Sequence, residues 1–479
     1  MTKSRETMSN VDTAWLQMDR PTNLMMIAAF MAFDGSLDLD RLMTTVERRL
    51  LTFDRFRRRA VEPRVSFGNY KWELDPNFDI RAHIHHVALP APGDKAAMQN
   101  FMSDIISTPL DRSRPLWQFH IVEGYNGGWA LAGRLHHAIA DGIALMRILL
   151  SLTDLSADAP LPTAESDELY SAKRRGFVRS VTSPISSLAR TTVNIADTAL
   201  SQSIYLARNP GRAVDLAKIT GDSAATLAKM TLRSPDPETI FKGNLGTRKS
   251  ALWADPLPLA EVKAVGRVLD GTVNDVLMAV VAGALRRYMI DHNQKVDGVN
   301  FRAFVPVNLR PFDAPLELGN RFGLVFPTLP VGTADLHDRF IATRRQMTEI
   351  KNSPEAVVAY GVLNALGMTP LDIEKVFLDF FATKSTLVLT NVPGPQMPLY
   401  LAGSPLREIM AWVPQSGGLG MGISILSYNG GVMVGLTTDL GLVPDPEEII
   451  TNIYIEFEAL RQLASTIDHT EFSDRDRIR

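Results

Sequence analysis

Two adjacent histidines, followed at fixed spacing by an aspartate and a glycine, are the residues of this chain best suited to acid–base chemistry. They are His136, His137, Asp141 and Gly142 in the run HHAIADG, and the 479 residues include only nine histidines. An imidazole is the one side chain whose unperturbed pKa lies near neutrality, so it can accept a proton from an alcohol and pass it on. The motif predicts a proton-transfer site, and the group opposite the histidine decides the reaction.

A β-hairpin is predicted to carry this motif. Apolar strands predicted over 118–122 and 129–135 flank Asn126-Gly127, a pair that supplies the positive φ angles of a tight turn. The return strand leads into the two histidines, and alternation sends His136 and His137 to opposite faces if both are extended. One histidine can therefore face a cleft while the scaffold holds the other.

The turn tetrapeptide occurs twice. Tyr-Asn-Gly-Gly stands at 125–128 and again at 428–431, each time between two apolar strands, but no histidine follows the second copy. This weak repeat suggests two similar lobes, of which one carries the chemistry. Two domains also suit a chain of 479 residues.

The composition excludes several classes of protein. Apolar residues make up 45% and charged residues 22%, which is typical of a globular protein. The net charge of -3 does not suggest a nucleic-acid partner. The absence of cysteine excludes disulfides, a Cys nucleophile and thiolate metal sites. We find no signal peptide and no apolar run long enough to span a membrane, so we expect a cytoplasmic protein with at most peripheral membrane contact.

A second histidine group is a candidate metal site. His83, His85 and His86 lie within four residues, but no carboxylate stands at a ligand spacing nearby, so we prefer an exposed strand and predict no metal. A basic run, Arg55 to Arg59, ends a helix predicted over 39–59; we prefer a solvated helix end to a phosphate-binding site.

Residues 156–250 differ in character from the rest. They are rich in Ser, Thr and Ala and are predicted as a partly helical crossover linker. A basic, weakly apolar stretch could lie on a membrane or an oil surface. We prefer an ordinary solvated connection, because the apolar face is modest.

Other catalytic signatures are missing from the sequence. We find no Gly-x-Ser-x-Gly elbow, no Walker loop, no Rossmann glycine pattern and no His-Glu-x-x-His. Gly418, Gly420 and Gly422 alternate, which would let either a ligand or another element approach the backbone.

The sequence resembles the bacterial wax ester synthase/diacylglycerol acyltransferase family, within the HHxxxDG acyltransferases. Besides the histidine motif, the resemblance rests on Pro109-Leu110-Asp111 with Pro115-Leu116-Trp117, Val273-Asn274-Asp275-Val276-Leu277 and Asn391-Val392-Pro393-Gly394-Pro395. Asp12 and Trp15 also resemble the family opening, and the linker matches least.

The resemblance implies an α/β fold with mixed sheets, in two chloramphenicol-acetyltransferase-like lobes with a substrate channel between them. The expected divisions are 1–155 for the catalytic lobe, 156–250 for the linker and 251–479 for the second lobe. The implied reaction is acyl-CoA-dependent esterification of a diacylglycerol or a long-chain alcohol, without a cofactor. The enzyme is expected in the cytoplasm, where it could bind peripherally to the inner face of the membrane or to lipid droplets.

The resemblance also assigns roles to residues. His137 is the expected general base, His136 supports it, and Asp141 is structural, with Arg310 as the candidate arginine partner. Gly142 would let the turn pass close to the substrate. Asn274 would orient the histidine or the substrate from the second lobe.

Two rival functions stay open on the sequence alone. A condensation-type acyltransferase would take its acyl group from a carrier protein, and the HHxxxDG motif fits it equally well. A lipid-droplet coat or lipid carrier with a degenerate site is the other, and the intact His137 and Asp141 argue against it.

Overall fold

Strands and helices alternate along the chain, which confirms the predicted α/β class with mixed sheets. The computed structural model describes residues 5–63, 69–161, 226, 228–310, 318–351, 353–366, 379–380, 382–415 and 417–477. The strands are β1 (Arg5–Thr7), β2 (Met26–Phe33), β3 (Arg58–Val61), β4 (Lys71–Leu74), β5 (Ile84–Ala88), β6 (Trp117–Tyr125), β7 (Gly128–His136), β8 (Lys249–Trp253), β9 (Leu257–Pro258), β10 (Phe301–Asn308), β11 (Phe322–Val325), β12 (Thr328–Leu329), β13 (Leu387–Pro393), β14 (Tyr400–Leu401), β15 (Ser404–Trp412), β16 (Met421–Tyr428) and β17 (Gly431–Asp439). The helices are α1 (Asn10–Met18), α2 (Leu39–Arg49), α3 (Lys95–Ser107), α4 (Gly142–Leu152), α5 (Leu259–Val268), α6 (Val273–Asp291), α7 (Leu336–Lys351), α8 (Glu355–Leu366) and α9 (Glu447–Arg477).

The first large sheet carries the histidine motif. Its strand order is β14-β15-β2-β7-β6-β5, and only β5 and β6 pair in parallel among these described strands. The predicted hairpin joins β6 to β7, with Asn126 and Gly127 at φ angles of 48° and 78°. The β2–β7 ladder ends where Met26 pairs with His136, so the regular strand stops at the first histidine.

The second large sheet runs β11-β10-β13-β16-β17-β8 and mixes parallel with antiparallel pairs. Its own hairpin, between β16 and β17, has Asn429 and Gly430 at φ angles of 43° and 84°. Helices α6 and α9 cover one face, where Val434, Leu436 and Leu285 belong to a large buried cluster. The two hairpins therefore lie in two separate sheets, as the repeated tetrapeptide suggested.

The other face of the second sheet packs against the first sheet. Phe30 of β2, Trp412 of β15 and Trp253 of β8 share one buried cluster. The ring centroids of Phe30 and Trp253 are 4.5 Å apart. Fully burying a large apolar side chain contributes roughly 1.5–3 kcal/mol, so these aromatics hold the two lobes together through direct contact.

Strand pairing departs from the predicted division at 155 and 250. Strand β15 lies within 251–479, yet it pairs antiparallel with β2 and extends the first sheet. Strand β8 already begins at Lys249, inside the predicted linker. The chain therefore crosses back between the lobes at β15, and the division at 155 and 250 stays a prediction. Most of the predicted linker lies outside the described residues, but residues 228–232, where the second predicted linker helix ends, are helical.

The prediction of a solvated helix end for the basic run after α2 is also corrected. Helix α2 ends at Arg49, and Arg55 and Arg58 follow in a 3-10 turn and in β3. Arg58 is buried, and Arg55 forms an ion pair with buried Asp12 at 3.1 Å. These two cations belong to the interior and do not form a solvated helix end.

Among the described residues, no single helix is long and apolar enough to cross a membrane. Helices α5 and α6 pass such a test only as a pair, on length and composition, and they meet at a 95° bend.

Candidate active site

His137 lies directly after the end of β7 and contacts two aromatic rings, whose centroids are 6.0 Å from each other. Its backbone N–H donates to Met25 O at 2.8 Å, which keeps it beside the start of β2. Trp15 of α1 stacks on the imidazole with ring centroids 3.9 Å apart and an interplanar angle of 18°. Phe322 of β11 tilts toward the ring at 5.7 Å. The residue is 6% exposed, so bulk water has little access to it.

Burial sets the protonation state of this imidazole. Removal from water disfavours the charged form and lowers the pKa of His137 to about 3. The ring is therefore neutral at neutral pH. Its Nδ1 is fully buried and has no hydrogen-bond partner among the described residues, whereas Nε2 is not enclosed in this way. Nε2 is the nitrogen that a substrate hydroxyl could reach.

His136 sits in a different environment. Its Nδ1 accepts a hydrogen bond from Ala138 N at 3.1 Å, so the proton of the neutral ring lies on Nε2. That Nε2 is 3.7 Å from Asp19 Oδ2, and Arg112 donates to the same oxygen at 2.9 Å. Burial opposes ionisation of Asp19, but His136 and Arg112 prevail and lower its pKa to about 2. The contacts fix the ring, in keeping with the supporting role predicted for it.

Asp141 ties the motif to its own helix and to the second lobe. It is the N-cap of α4, and its Oδ1 accepts from Ala144 N at 2.9 Å. Its Oδ2 forms a buried ion pair with Arg310 and accepts from Arg321 N at 3.0 Å. The predicted contact between Asp141 and Arg310 is thus present. Because structural partners bind both oxygens of this carboxylate, Asp141 holds the loop in place.

Gly142 opens α4 and borders open space. Its φ is not positive, so backbone geometry does not require glycine here. A Cβ added at this position would meet no atom within 4 Å. Passage of a substrate beside Gly142, as predicted, stays a prediction, and the free space leaves room for it.

A polar cluster beneath His137 was missed by the sequence-based prediction. Asn320 Nδ2 donates to His137 O and to Asp12 Oδ1, both at 2.8 Å. Arg55 bridges Asp12 Oδ2 at 3.1 Å and Ile139 O at 2.8 Å. Burial raises the pKa of Asp12, and Arg55 and Asn320 oppose that rise. The cluster binds both sides of the motif backbone and joins α1 to the second lobe.

Little in the sequence could have revealed this cluster. The sequence singled out Asp12 and Trp15 only as part of a family-like opening, and it gave no signal for Asn320. Asn320 and His137 are 183 positions apart in the chain. Such contacts depend on the tertiary fold.

Asn274 does not contact His137 in the described residues. Its Oδ1 accepts from Asn391 Nδ2 at 2.9 Å, so two of the motifs quoted for the family resemblance meet here. Its neighbour Asp275 forms a capping box with Thr272 at the start of α6. The predicted orienting role of Asn274 stays a prediction.

The histidines at 83–86 do not converge. His83 is buried with Nδ1 2.8 Å from Trp117 O, which corrects the exposed position expected for it, and His86 Nε2 lies 2.9 Å from Glu123 Oε1. A different group, formed by His292, Asp445 and Glu448, places ligand atoms within 4.8 Å of one another. His292 Nε2 already contacts Asp445 Oδ2 at 3.2 Å, so the group is accounted for as a surface hydrogen-bond cluster.

Comparisons with known proteins cover nearly the whole chain. Residues 8–277 match the wax ester synthase/diacylglycerol acyltransferase catalytic domain, and residues 318–461 match the WS/DGAT C-terminal domain. A Mycobacterium tuberculosis protein named "probable diacylglycerol O-acyltransferase" is 26% identical over 465 residues, covering 93% of this chain and 94% of the relative. A second protein of that species with the same description is 28% identical over 418 residues, covering 85% and 87%.

Two solved structures share the fold. The wax ester synthase/diacylglycerol acyltransferase from Marinobacter aquaeolei VT8 superposes with a TM-score of 0.66 at 21% identity, covering 96% of this chain and 100% of that one. The first condensation domain of the calcium-dependent antibiotic synthetase gives 0.60 at 14% identity, covering 97% of each chain. At these identities the likeness concerns the fold alone.

Proposed function

This chain belongs to the wax ester synthase/diacylglycerol acyltransferase family and is an O-acyltransferase, and we propose that it transfers a fatty acyl group from acyl-CoA to the hydroxyl of a diacylglycerol or a long-chain alcohol. The observation that carries the proposal is His137, a neutral imidazole that stacks on Trp15 and contacts Phe322, with Nδ1 buried so that Nε2 is left to meet a substrate. The mycobacterial relatives are named for diacylglycerol as the acceptor, which supports that lipid here as well.

The proposed reaction needs one proton acceptor. Nε2 of His137 takes the hydroxyl proton while the alcohol oxygen attacks the thioester carbonyl, and a tetrahedral oxyanion forms. On collapse the C–S bond breaks, the ester is released, and the imidazolium returns its proton to the CoA thiolate. A buried imidazole with a pKa of about 3 gives the proton back readily. General-base catalysis contributes roughly 10²–10⁴-fold, and positioning adds to it.

The scheme includes neither an acyl-enzyme nor a cofactor. Attack by the alcohol and loss of the CoA thiolate both occur at the same carbonyl carbon, so no acyl-enzyme is needed. The chain also has no cysteine that could carry the acyl group. We propose that the acyl donor is the sole co-substrate, so an excess of EDTA should leave turnover unchanged. We also propose that the enzyme works in the cytoplasm at a membrane or lipid-droplet surface, because its acceptors are insoluble in water; flotation with triacylglycerol emulsions would test the surface contact.

A condensation-type reaction is the second candidate, favoured by the fold shared with the antibiotic-synthetase domain. The two functions differ in the acyl donor. Release of free CoA should be followed with palmitoyl-CoA and either dipalmitoylglycerol or hexadecanol, with no carrier protein present. Acceptor-dependent release supports the proposed function. Release only when the acyl group is presented on a carrier protein favours the condensation type, and lipid binding without any transfer favours a lipid carrier.

A further inference from the structure

A cleft opens between the two facing sheets, one strand away from the histidine pair. It measures about 400 Å³, counting the part open to solvent, and its walls include Met26 and Ala28 of β2 and Trp412 of β15. Met26 pairs with His136 across the β2–β7 ladder, and directly opposed residues of an antiparallel pair project to the same face. The cleft therefore lies on the face to which His136 projects, and Met25, the residue before Met26, binds the backbone of His137.

Two polar side chains of this cleft lack partners. Gln415 and Thr437 both line it, and they are 3% and 5% exposed. Gln415 Nε2 and Thr437 Oγ1 are buried and have no hydrogen-bond partner among the described residues. Lys249, which also lines the cleft, is neutralised by Asp439 at 2.6 Å. Buried polar atoms are nearly always hydrogen-bonded, so this pair indicates a partner supplied from outside the chain.

The backbone makes room for the Gln415 amide. A Cβ on Gly422 would stand 3.0 Å from Gln415 Nε2, tighter than ordinary packing allows. Glycine at this position therefore lets the amide lie against β16. Of the alternating glycines at 418–422, Gly422 leaves space for the Gln415 amide, and Gly420 packs closely against Leu442.

The chemistry of the cleft defines its occupant. The cleft has room for a water-sized group, such as a carbonyl oxygen. An amide N–H and a hydroxyl can both donate to that oxygen, and the paired Lys249 leaves no free charge to attract an ion. The apolar walls suit hydrocarbon. An ester carbonyl attached to an acyl chain meets all three conditions.

We propose that Gln415 and Thr437 bind an ester carbonyl of the acyl-acceptor lipid and thereby favour a diacylglycerol over a long-chain alcohol. This inference rests on the proposed function and names the acceptor for it. A diacylglycerol carries two ester carbonyls beside its free hydroxyl, whereas a long-chain alcohol carries none. A site built to hydrogen-bond a substrate group discriminates against an analogue that lacks it, because the buried donors then stay unpaired or keep a water.

Strand β17 offers a matched pair of threonines for the test. Thr438 Oγ1 is buried and unpaired like that of Thr437, but alternation places Thr438 on the opposite face, away from the cleft. The full chain and its Thr437→Val and Thr438→Val variants should be assayed with octanoyl-CoA and either dioctanoylglycerol or decanol. We expect Thr437→Val to lower the ratio of kcat/KM for dioctanoylglycerol over decanol by about five- to tenfold, the effect of one neutral hydrogen bond. Thr438→Val should leave the ratio unchanged.

Gln415→Met provides a second, volume-matched variant and should shift the same ratio in the same direction. An unchanged ratio in both cleft variants, or an equal shift in Thr438→Val, would overturn the proposal. Equilibrium binding of dioctanoylglycerol, measured without acyl donor, separates the two hypotheses. Weaker binding to Thr437→Val without any wild-type turnover would support the cleft and refute the acyltransfer function. Turnover with equal binding to wild type and both cleft variants would refute the cleft alone.

Discussion

At the scale of single residues, the chemistry depends on how completely His137 is separated from water. Trp15 covers one face of the imidazole and Phe322 approaches the ring at 5.7 Å. A charged imidazolium would lose its hydration there, so the neutral base is the resting state. His136, one position earlier, has a carboxylate neighbour in Asp19 and a fixed tautomer. The two adjacent histidines therefore lie in different environments, His137 against aromatic rings and His136 beside a carboxylate.

The pH dependence follows from this burial. Neutral His137 is the proton acceptor, and activity is lost only as the pH falls through its folded-state pKa of about 3, well below the ordinary 6.5. We expect kcat/KM to change less than about twofold between pH 8 and pH 5 while the protein stays folded. The unfolded chain binds this proton at about pH 6.5 and the folded one does not, so stability should decrease on acidification below that value. A titration of kcat/KM with a midpoint near 6.5, with circular dichroism unchanged, would contradict the account.

Substitution of Gly142 by alanine tests whether the substrate passes beside the histidine motif. Gly142→Ala meets no atom of the protein and needs no unusual φ, so the free energy of unfolding should not decrease. If the substrate uses that space, kcat/KM should fall by at least about tenfold, because the added methyl group occupies it. Gly361→Ala, at an exposed position of α8, is the matched control, since its Cβ also meets nothing within 4 Å, and it should keep full activity. Full activity of Gly142→Ala would remove this residue from the substrate path.

At the scale of elements, the motif is held from three directions. The β6–β7 hairpin brings it to the end of the first sheet, and α4 begins on Asp141. The segment 319–321, from the second lobe, then binds the loop: Gly319 N donates to Ile139 O at 3.1 Å, and Arg321 N donates to Asp141 at 3.0 Å. The loop geometry therefore depends on both lobes.

The Asp141–Arg310 pair should matter mainly for stability. Asp141→Ala removes the N-cap of α4 and leaves Arg310 buried without its carboxylate. Breaking a buried pair in this way costs about 3–5 kcal/mol, which urea denaturation would measure. The exposed pair of Asp34 with Arg407 provides the control, and Asp34→Ala should cost less than about 1 kcal/mol. An Asp141→Ala protein with wild-type stability and no activity would show that the role assigned to Asp141 is wrong.

Local elements were predictable because local sequence determines them. Asn126-Gly127 identified the hairpin. Asp141 and Thr272 are of residue types that favour helix N-caps, and they stand at the N-caps of α4 and α6. The contact of Asp141 with Arg310 was predicted from the family resemblance. Trp15 over His137 and Asn320 beneath it could not be, because their partners come from segments far apart in the chain.

At the scale of the whole molecule, the two lobes share strands as well as contacts. Strand β15 leaves the second lobe and pairs with β2 of the first, and α3 of the first lobe supplies Ser103 and Ser107 to the backbone of β8. A linear division of the sequence could not show this exchange, since the sequence of a strand carries no signal of which sheet it joins. The active site therefore forms only when both halves are folded together.

Fragments should reveal this dependence. A fragment of residues 1–161 lacks β15, so the edge of β2 stays open and Phe30 loses Trp412 and Trp253. We expect this fragment alone to aggregate or to unfold without cooperativity. Coexpression with residues 226–479 should recover a soluble complex, measured by size-exclusion chromatography and circular dichroism. A stable, cooperatively folded fragment on its own would show that the lobes are independent.

The most direct test of the central claim is CoA release from palmitoyl-CoA by wild-type protein and by His137→Ala, with dipalmitoylglycerol or hexadecanol as the acceptor. His86→Ala, at an exposed histidine bound to Glu123, is the control for loss of an imidazole and should keep its turnover. The account predicts acceptor-dependent release by the wild type and a loss of at least about 10²-fold in His137→Ala with an unchanged fold. Wild-type turnover in a folded His137→Ala protein would contradict it.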